Sequence, residues 1–200
     1  MPADSRLSHP LLRRLAATLA RVPGAPADPD GSPARAAVTV TLRPGPAESV
    51  ELLLIRRAER EGDPWSGQVA LPGGRWSPND ASLLQTALRE TWEETGIDLA
   101  HVGLVLGTLD ELRPRTATLP AIIITPVVVT LDVAAPLVLS DEVADAFWVS
   151  LEVLQDPART RESQVHSRGA TWRVPSFVLG EHVVWGLTER ILRQLLARLG

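Results

Sequence analysis

The stretch LPGGRWSPNDASLLQTALRETWEETGI, Leu71 to Ile97, decides how this chain is interpreted. A Gly-Gly pair comes first, then a polar turn, then a short amphipathic segment that ends in three glutamates and a glycine. Asp80 or Ser82 is a favourable N-cap, and Gly96 suits the left-handed residue that often follows a helix. We therefore expect a short, firmly delimited helix between these positions.

Three acidic residues are crowded into the last turn of this predicted helix. At about 100° per residue, Glu90 and Glu94 lie on one edge of the apolar stripe, whereas Arg89 and Glu93 point away from it. Arg89 and Glu93 are spaced for an ion pair, but Glu90 and Glu94 repel each other. A divalent cation between them would remove that repulsion, and carboxylate oxygens suit Mg²⁺ or Mn²⁺. The alternative is a solvated helix rich in glutamate, a good helix former.

The Gly-Gly pair followed by RETWEETGI resembles the Nudix box, whose pattern is G, five residues, E, seven residues, then R-E-U-x-E-E-x-G-U with U apolar. The matching residues are Arg89, Glu90, Glu93, Glu94, Gly96 and Ile97. The chain departs from the pattern by one extra residue between Gly74 and Arg89, by Asp80 at the first acidic position, and by Thr91 in an apolar position. The extra residue and the aspartate resemble the coenzyme A diphosphatase branch of the family.

The segments LLIRRA (Leu53 to Ala58) and GQVALPGG (Gly67 to Gly74) are similar to the upstream signature of that branch, L-L-T-x-R-[SA]-x3-R-x3-G-x3-F-P-G-G. Ile55, Gly62 and Leu71 replace its Thr, second Arg and Phe, and one residue is inserted before Gly67. TPVVV, SDEV and VVWGLTERIL are also similar to the branch. The resemblance implies Mg²⁺- or Mn²⁺-dependent hydrolysis of the diphosphate linkage in coenzyme A or a related nucleoside diphosphate derivative.

The resemblance also implies roles for individual residues. Glu90 and Glu94 are the expected metal ligands. Glu94 itself, or Glu142 in SDEV, is the expected general base, and Glu93 is a further catalytic candidate. Substrate contacts are expected from Arg57, Gly74, Arg89, Arg113 and Arg115.

Strand-like runs interleaved with few helices, without regular βαβ alternation, predict an α/β (α+β) fold of the Nudix type, a mixed β-sheet packed between helices. The predicted divisions are an N-terminal amphipathic helix (1–22), a Pro- and Gly-rich linker (23–35) and a Nudix hydrolase domain (36–200). The run from His182 to Leu199 predicts a terminal helix with Trp185 on its apolar side. Pro175 predicts a strand edge or bulge, and Trp65 is expected in the core.

Composition narrows the classes of partner and chemistry. The 200 residues carry a net charge of −4 with 44% hydrophobic residues, which indicates a globular domain without a general attraction for nucleic acid or an anionic membrane. No apolar run reaches the roughly 18 residues of a membrane span, so we expect a cytoplasmic protein. The expected partner is a small-molecule nucleoside diphosphate, and the two amphipathic end helices leave room for a homodimer.

Three alternatives to a coenzyme A hydrolase follow from the same resemblance. One is a Nudix hydrolase for ADP-ribose, dinucleotides or nucleoside triphosphates. Another is a Nudix-like sensor that binds a nucleotide without turnover, and its expected mark is the loss of box carboxylates. All three box glutamates are present here, which favours an enzyme. The third, a diphosphate isomerase of the same fold, uses a catalytic Cys, and this chain contains no Cys.

Overall fold

The computed structural model describes residues 7–63, 65–114, 121–132, 135–167 and 169–200. The helices are α1 (Pro10–Arg21), α2 (Leu83–Thr95), α3 (Leu99–Val102), α4 (Leu151–Gln155) and α5 (Gly186–Leu199). The strands are β1 (Ala34–Pro44), β2 (Val50–Arg57), β3 (Val69–Ala70), β4 (Gly73–Arg75), β5 (Gly103–Thr108), β6 (Ile122–Leu131), β7 (Val143–Ser150), β8 (Thr160–Ser167), β9 (Ala170–Leu179) and β10 (His182–Trp185). Short 3₁₀ helices span Pro46–Glu48 and Pro157–Arg159.

The central element is a seven-stranded sheet with the order β3-β2-β1-β6-β5, to which β4 is added through β1 and β7 through β2. Strand β1 runs parallel to β6, whereas the other pairs are antiparallel. A smaller three-stranded sheet has the order β10-β9-β8. The expected mixed sheet with helices is therefore confirmed.

The Gly-Gly corner is built into a split in the central sheet. Strand β1 pairs with β2 only from Leu42 to Pro44, and toward its start it pairs with β4 instead. At the matching end of β2, Ile55 pairs with β3. The segment that contains β3 and β4 therefore fills the gap between two diverging strands, and the backbone N–H of Thr39 donates to the Pro72 carbonyl at 2.8 Å.

Helices cover both faces of the sheet because successive residues of a strand point to opposite sides. In β1, Val40 and Leu42 join the cluster that holds α1 and α5, whereas Ala37 joins the cluster that holds α2. The buried residues of the two terminal helices are Leu12, Leu15, Leu19, Ile191, Leu192 and Leu195. The apolar faces of both helices are thus covered within the chain and do not support a homodimer interface. The homodimer stays a prediction.

The limits of α2 follow the expected capping chemistry. The Ser82 hydroxyl accepts from the Gln85 backbone N–H at 3.2 Å, and the Gln85 side chain accepts in return from the Ala81 N–H. At the other end Gly96 has φ 73°, and its N–H donates to the Trp92 carbonyl at 2.8 Å. The predicted helix and both of its caps are confirmed, with Ser82 rather than Asp80 as the N-cap.

Asp80 instead stabilises the turn before α2, which is one residue longer than in the Nudix pattern. Its buried carboxylate accepts from Arg89 Nε at 2.9 Å and Nη2 at 3.0 Å. It also accepts from the Thr86 hydroxyl at 2.9 Å and the Ser77 N–H at 3.1 Å. The hydrogen bonds from Arg89 above all hold the pKa of Asp80 well below its usual range, despite the opposing effect of burial.

Thr91, which occupies an apolar position of the Nudix pattern, is fully buried. Its hydroxyl lies 2.8 Å from the hydroxyl of Thr39 and donates to the Ala87 carbonyl at 2.8 Å. Thr41 donates in turn to Thr39 at 3.0 Å. The departure is therefore accommodated by a chain of buried hydroxyl groups that joins α2 to β1, and each oxygen has a partner.

The C-terminal region corrects one prediction. The last helix begins at Gly186 because residues from His182 to Trp185 form β10, which pairs with β9. That pairing ends at Ser176, so Pro175 lies where β9 has only β8 as a neighbour, which is the expected local edge. A proline is tolerated there because its missing N–H faces no further strand.

The N-terminal region has the expected helix, and the segment after it is anchored by backbone contacts. The Ala25 N–H donates to Asp110 Oδ1 at 2.9 Å, and the Glu111 N–H donates to the Ala25 carbonyl at 2.9 Å. The division into 1–22, 23–35 and 36–200 stays a prediction. Among the residues that the structure describes, no helix is long and apolar enough to cross a membrane.

Replacing Asp80 with Asn should lower the free energy of unfolding at pH 7 by about 1.5–3 kcal/mol, since hydrogen bonds to a charged partner are lost. A depressed carboxyl pKa stabilises the fold fully above the unfolded value of about 3.9, and this stabilisation is lost as pH falls further. The difference between the two proteins should therefore shrink below about pH 4. Urea unfolding across this range is the measurement.

The control for that experiment is Asp98→Asn, because Asp98 is an exposed aspartate beside His101. It should change the free energy of unfolding by less than about 0.5 kcal/mol at pH 7. A difference between wild type and Asp80→Asn that stays constant into the acid range would contradict the assigned ion pair.

Candidate active site

A cavity of about 660 Å³ opens beside the Gly-Gly corner. The residues around it come from the end of α2, from β3 and β4, from the loops after β2 and before β7, and from the start of α5. Five of the predicted site residues line this cavity, and they are Arg57, Gly74, Glu90, Glu94 and Glu142. Side chains separated by up to 85 positions in the chain thus meet at one place.

Glu94 is the most deeply buried acid of the cavity, with 4% of its surface exposed. Its Oε2 accepts from the Gly73 N–H at 2.9 Å, and its Oε1 lies 3.8 Å from Arg57 Nη1. Burial raises the pKa of Glu94 to about 7, although the Gly73 N–H and Arg57 oppose the shift. Glu90 and Glu142 add to the rise through repulsion. The positive charge near Glu94 is therefore not sufficient to offset the cost of burying its ionised carboxylate.

Glu90 faces the same corner and is half-buried. Its Oε1 forms an ion pair with Arg89 Nη2 at 2.9 Å. Burial raises the pKa of Glu90, and Arg89 acts in the opposite direction. The predicted placement of Glu90 and Glu94 on one edge of the helix is confirmed, and burial raises the pKa of both carboxyl groups.

The two glycines are needed for different reasons. At Gly74, a Cβ atom would lie 2.4 Å from the carboxylate of Glu90, so the missing side chain is what lets this acid approach the backbone. Gly73 has φ 151°, and a Cβ there would lie 2.3 Å from the Ala37 carbonyl oxygen and 2.5 Å from the Cα of Val38. The sheet therefore requires glycine at position 73, because any side chain would meet the backbone of β1. The site requires glycine at position 74, because a side chain would occupy the space of the Glu90 carboxylate.

Arg57 is held by an aspartate that the sequence analysis did not assign. Asp63 Oδ2 accepts from Arg57 Nη2 at 2.8 Å and from Nε at 3.3 Å, while Nη1 is directed toward Glu94. The other oxygen of Asp63 accepts from the Trp65 N–H at 3.0 Å, as in an Asx turn. The sequence does show an aspartate two positions before Trp65, which is the spacing of an Asx turn. Its pairing with Arg57, however, depends on the path of the loop and could not be read from the sequence.

Glu142 lies at the border of the cavity and keeps an exposed carboxylate. Its Oε1 pairs with Arg60 Nη1 at 2.9 Å, and its backbone carbonyl accepts from the Ala58 N–H at 2.8 Å. The segment before β7 is thereby joined to the loop that follows β2. The carboxylate of Glu142 is close enough to contribute to the raised pKa values of Glu90 and Glu94.

Among the described residues, the other predicted site residues do not line the cavity. The guanidinium of Arg89 is occupied by Asp80, Glu90 and Glu93, and Glu93 is exposed and pairs with Arg89 Nη1 at 2.9 Å. Arg113 donates to the carbonyls of Asp28 and Asp30 at 2.8 and 2.6 Å. Arg115 lies outside the described residues. Substrate contacts from Arg89 and Arg113 therefore find no support, because their donors are already used elsewhere.

Several apolar residues that the sequence analysis missed or misplaced line the same cavity. Trp65, expected in the core, and Trp185, expected on a helix face, both border it. Trp172, Leu187 and Ile191 border it as well. No local pattern marks these five positions as a group, since two come from α5, two from strands of the smaller sheet and one from the loop between β2 and β3.

The two glycines provide a matched test of these roles. Gly73→Ala should lower the free energy of unfolding by about 1–3 kcal/mol, because the new Cβ meets backbone atoms of β1. Gly74→Ala should cost less than about 1 kcal/mol, since the flexible side chain of Glu90 can move aside. Chemical denaturation of both variants measures the difference, and equal losses would contradict the assignment.

Comparison with known proteins places the chain in a family. A family model described as the NUDIX domain matches residues 33–169. The uncharacterized Nudix hydrolase NudL of Yersinia pestis (strain Pestoides F) is 37% identical over 164 residues, which are 80% of this chain and 77% of that protein. The NudL protein of Yersinia pseudotuberculosis serotype O:1b (strain IP 31758) matches to the same extent, at 37% identity over 164 residues.

Two solved structures of lower sequence identity share the fold. A MutT/nudix family protein from Enterococcus faecalis has a TM-score of 0.55 at 20% identity, over 100% of this chain and 75% of that one. A NUDIX hydrolase from Alicyclobacillus acidocaldarius has a TM-score of 0.54 at 18% identity, over 84% and 93% of the two chains. With most of the chain matched by the family and with the three box glutamates present, this protein belongs to the Nudix hydrolase family, enzymes that act on pyrophosphate-containing substrates.

Proposed function

We propose that this enzyme hydrolyses the diphosphate linkage of coenzyme A, or of a closely related nucleoside diphosphate derivative, with Mg²⁺ or Mn²⁺ as cofactor. The main support for the proposal is that the carboxylates of Glu90, which is half-buried, and Glu94, which is buried, both lie against the backbone of Gly73 and Gly74. These groups lie at the wall of a cavity large enough for a nucleotide-sized ligand.

The residues present fit a hard divalent cation. Burial raises the pKa of both Glu90 and Glu94, so a cation would relieve the cost of keeping the two groups ionised. Within the part of the chain that the structure describes, no group of three His, Cys, Asp or Glu side chains is arranged to hold a metal. Two carboxylates agree with Mg²⁺, which commonly takes one or two from the protein and completes its shell with water and substrate phosphates.

Four polar residues of the cavity have a part in the proposed reaction. Glu90 and Glu94 would hold the cation, which neutralises phosphate charge, orients the phosphoryl groups and makes water a better nucleophile at neutral pH. Arg57, with Nη1 directed into the cavity, would bind a phosphate oxygen. Glu142, whose carboxylate is exposed at the border, is our choice for the general base, with Glu94 as the alternative. Glu93 supports the site through Arg89.

Coenzyme A is favoured over other nucleoside diphosphate derivatives by the upstream signature. Its first arginine corresponds to Arg57, which lines the cavity, and its Gly-Gly pair corresponds to the corner that faces Glu90. The position of its second arginine is Gly62 here, and Asp63 beside it holds Arg57 in place. A Nudix hydrolase for ADP-ribose, dinucleotides or nucleoside triphosphates is the second candidate, because the carboxylate turn serves any of these diphosphates.

Glu94→Gln should lower kcat by about 10²–10⁴-fold in saturating Mg²⁺, because a metal ligand and a possible base are both lost. Glu93→Gln, one position away but exposed and paired with Arg89, should lose less than about tenfold. Glu142→Gln should lower kcat, because the proposed general base is lost. Initial rates with protein of verified fold are the measurement, and near-normal turnover by Glu94→Gln would overturn the proposed site.

The substrate is tested with a panel of coenzyme A, ADP-ribose, NADH, diadenosine polyphosphates and nucleoside triphosphates, with the products separated. Coenzyme A should have the highest kcat/KM and give 4′-phosphopantetheine, and a chelator should abolish turnover. If another compound is cleaved while coenzyme A yields no 4′-phosphopantetheine, the enzyme belongs to the second candidate class.

A further inference from the structure

Part of the cavity lining is apolar and comes from the C-terminal end of the chain. We call the C-terminal wall the five residues Trp172, Val174, Trp185, Leu187 and Ile191, which border the cavity together with the carboxylates. All five follow residue 169, where the match to the NUDIX domain ends. The matched domain therefore supplies the acidic groups and part of the apolar lining, and the segment after it supplies these five apolar residues.

The C-terminal wall continues into apolar residues of the central sheet. Leu187 packs against a small buried cluster formed by Ala36, Ile122 and Ile124, and these three residues also border the cavity. Aliphatic side chains from β1, β6 and α5 thus form one continuous apolar lining. Ala36, Ile122 and Ile124 are buried, so the apolar groups that remain open to the cavity are those of the C-terminal wall, above all the half-exposed Trp172, and a ligand that covers them gains free energy.

The wall has few polar groups for recognising a nucleobase. The Thr188 hydroxyl donates to the Val69 carbonyl at 3.1 Å, and the indole N–H of Trp172 donates to the Ser167 carbonyl at 3.4 Å. A purine bound against the wall could use neither of these two donors for its ring nitrogens and exocyclic groups. An aliphatic chain has no such groups and gains free energy for every methylene it buries.

We propose that the C-terminal wall is the subsite for an uncharged, aliphatic arm of the substrate, joined to the diphosphate that Glu90 and Glu94 engage. The substrate class is then a nucleoside diphosphate esterified to an extended aliphatic group. This inference rests on the proposed hydrolase function and goes beyond it, since it assigns the choice of substrate to the segment outside the matched domain. Trp172, half-exposed on β9, is the specificity-determining residue that is most accessible to substitution.

The test uses a series of adenosine diphosphate alkyl esters with methyl, butyl and octyl groups, measured with the wild-type enzyme. The kcat/KM should rise by about two- to fourfold for each methylene group until the chain outgrows the wall. Trp172→Ala and Leu187→Ser should flatten this rise and leave the methyl ester within about threefold of wild type. Trp172 is half-exposed, so its removal should disturb the fold little, whereas Leu187 packs against buried residues and its variant is compared only after its fold has been verified.

The matched control is Trp92→Ala. Trp92 is 56% exposed and Trp172 is 53% exposed, so both substitutions remove a tryptophan of equal exposure, but Trp92 lies on the outer surface of α2 and does not border the cavity. Trp92→Ala should keep the full dependence on chain length. A control that flattens the series as much as Trp172→Ala would assign the effect to general destabilisation and overturn the proposal.

Equilibrium binding separates the failure of this inference from the failure of the hydrolase function. If the methyl ester is cleaved but kcat/KM is independent of chain length, the aliphatic subsite is wrong and the hydrolase stands. If no ester is cleaved, calorimetric titration with the same esters decides, because affinity that rises with chain length and falls in Trp172→Ala still supports the subsite. The wild-type enzyme is also compared on adenosine and uridine esters. If it distinguishes the two and Trp172→Ala does not, the wall binds the nucleobase and the proposed aliphatic subsite is wrong.

Discussion

Contact between two carboxylates and the backbone of a glycine pair is the constraint on which the rest of the structure depends. Glu94 needs the Gly73 N–H, and Glu90 needs the space that Gly74 leaves free. These groups meet because β1 and β2 diverge and the segment that contains β3 and β4 lies between them. Helix α2 must then lie across β1 in one register, which the hydroxyl contact between Thr39 and Thr91 secures.

Each of the two acids faces an arginine, and an aspartate holds each arginine. Asp80 holds Arg89 beside Glu90, and Asp63 holds Arg57 beside Glu94. The arginines therefore offer only part of their charge to the glutamates, whose pKa values stay raised by burial. Asp80 stands where the Nudix pattern has Glu, and Asp63 follows Gly62, which stands where the branch signature has its second arginine.

The features that were predictable from sequence are those set by neighbours in the chain. The helix from Leu83 to Thr95, its caps at Ser82 and Gly96, and the pairing of Arg89 with Glu93 all depend on residues within four or five positions of each other. The terminal helix was predicted four residues too long, because the apolar spacing of residues 182–185 suits either a helix or a strand. Pairing with β9, a distant contact, decides between them.

The sequence by itself determined which carboxylates share one edge of a helix and where that helix begins and ends, since periodicity and capping act over a single turn. Only the tertiary structure decided what those carboxylates face. It brought Arg57, Asp63 and Glu142 to the same cavity, and it paired the guanidinium donors of Arg89 and Arg113 with other groups of the protein. It also placed Trp172 and Leu187 beside the acids, because burial of apolar surface acts between segments irrespective of their separation in the chain.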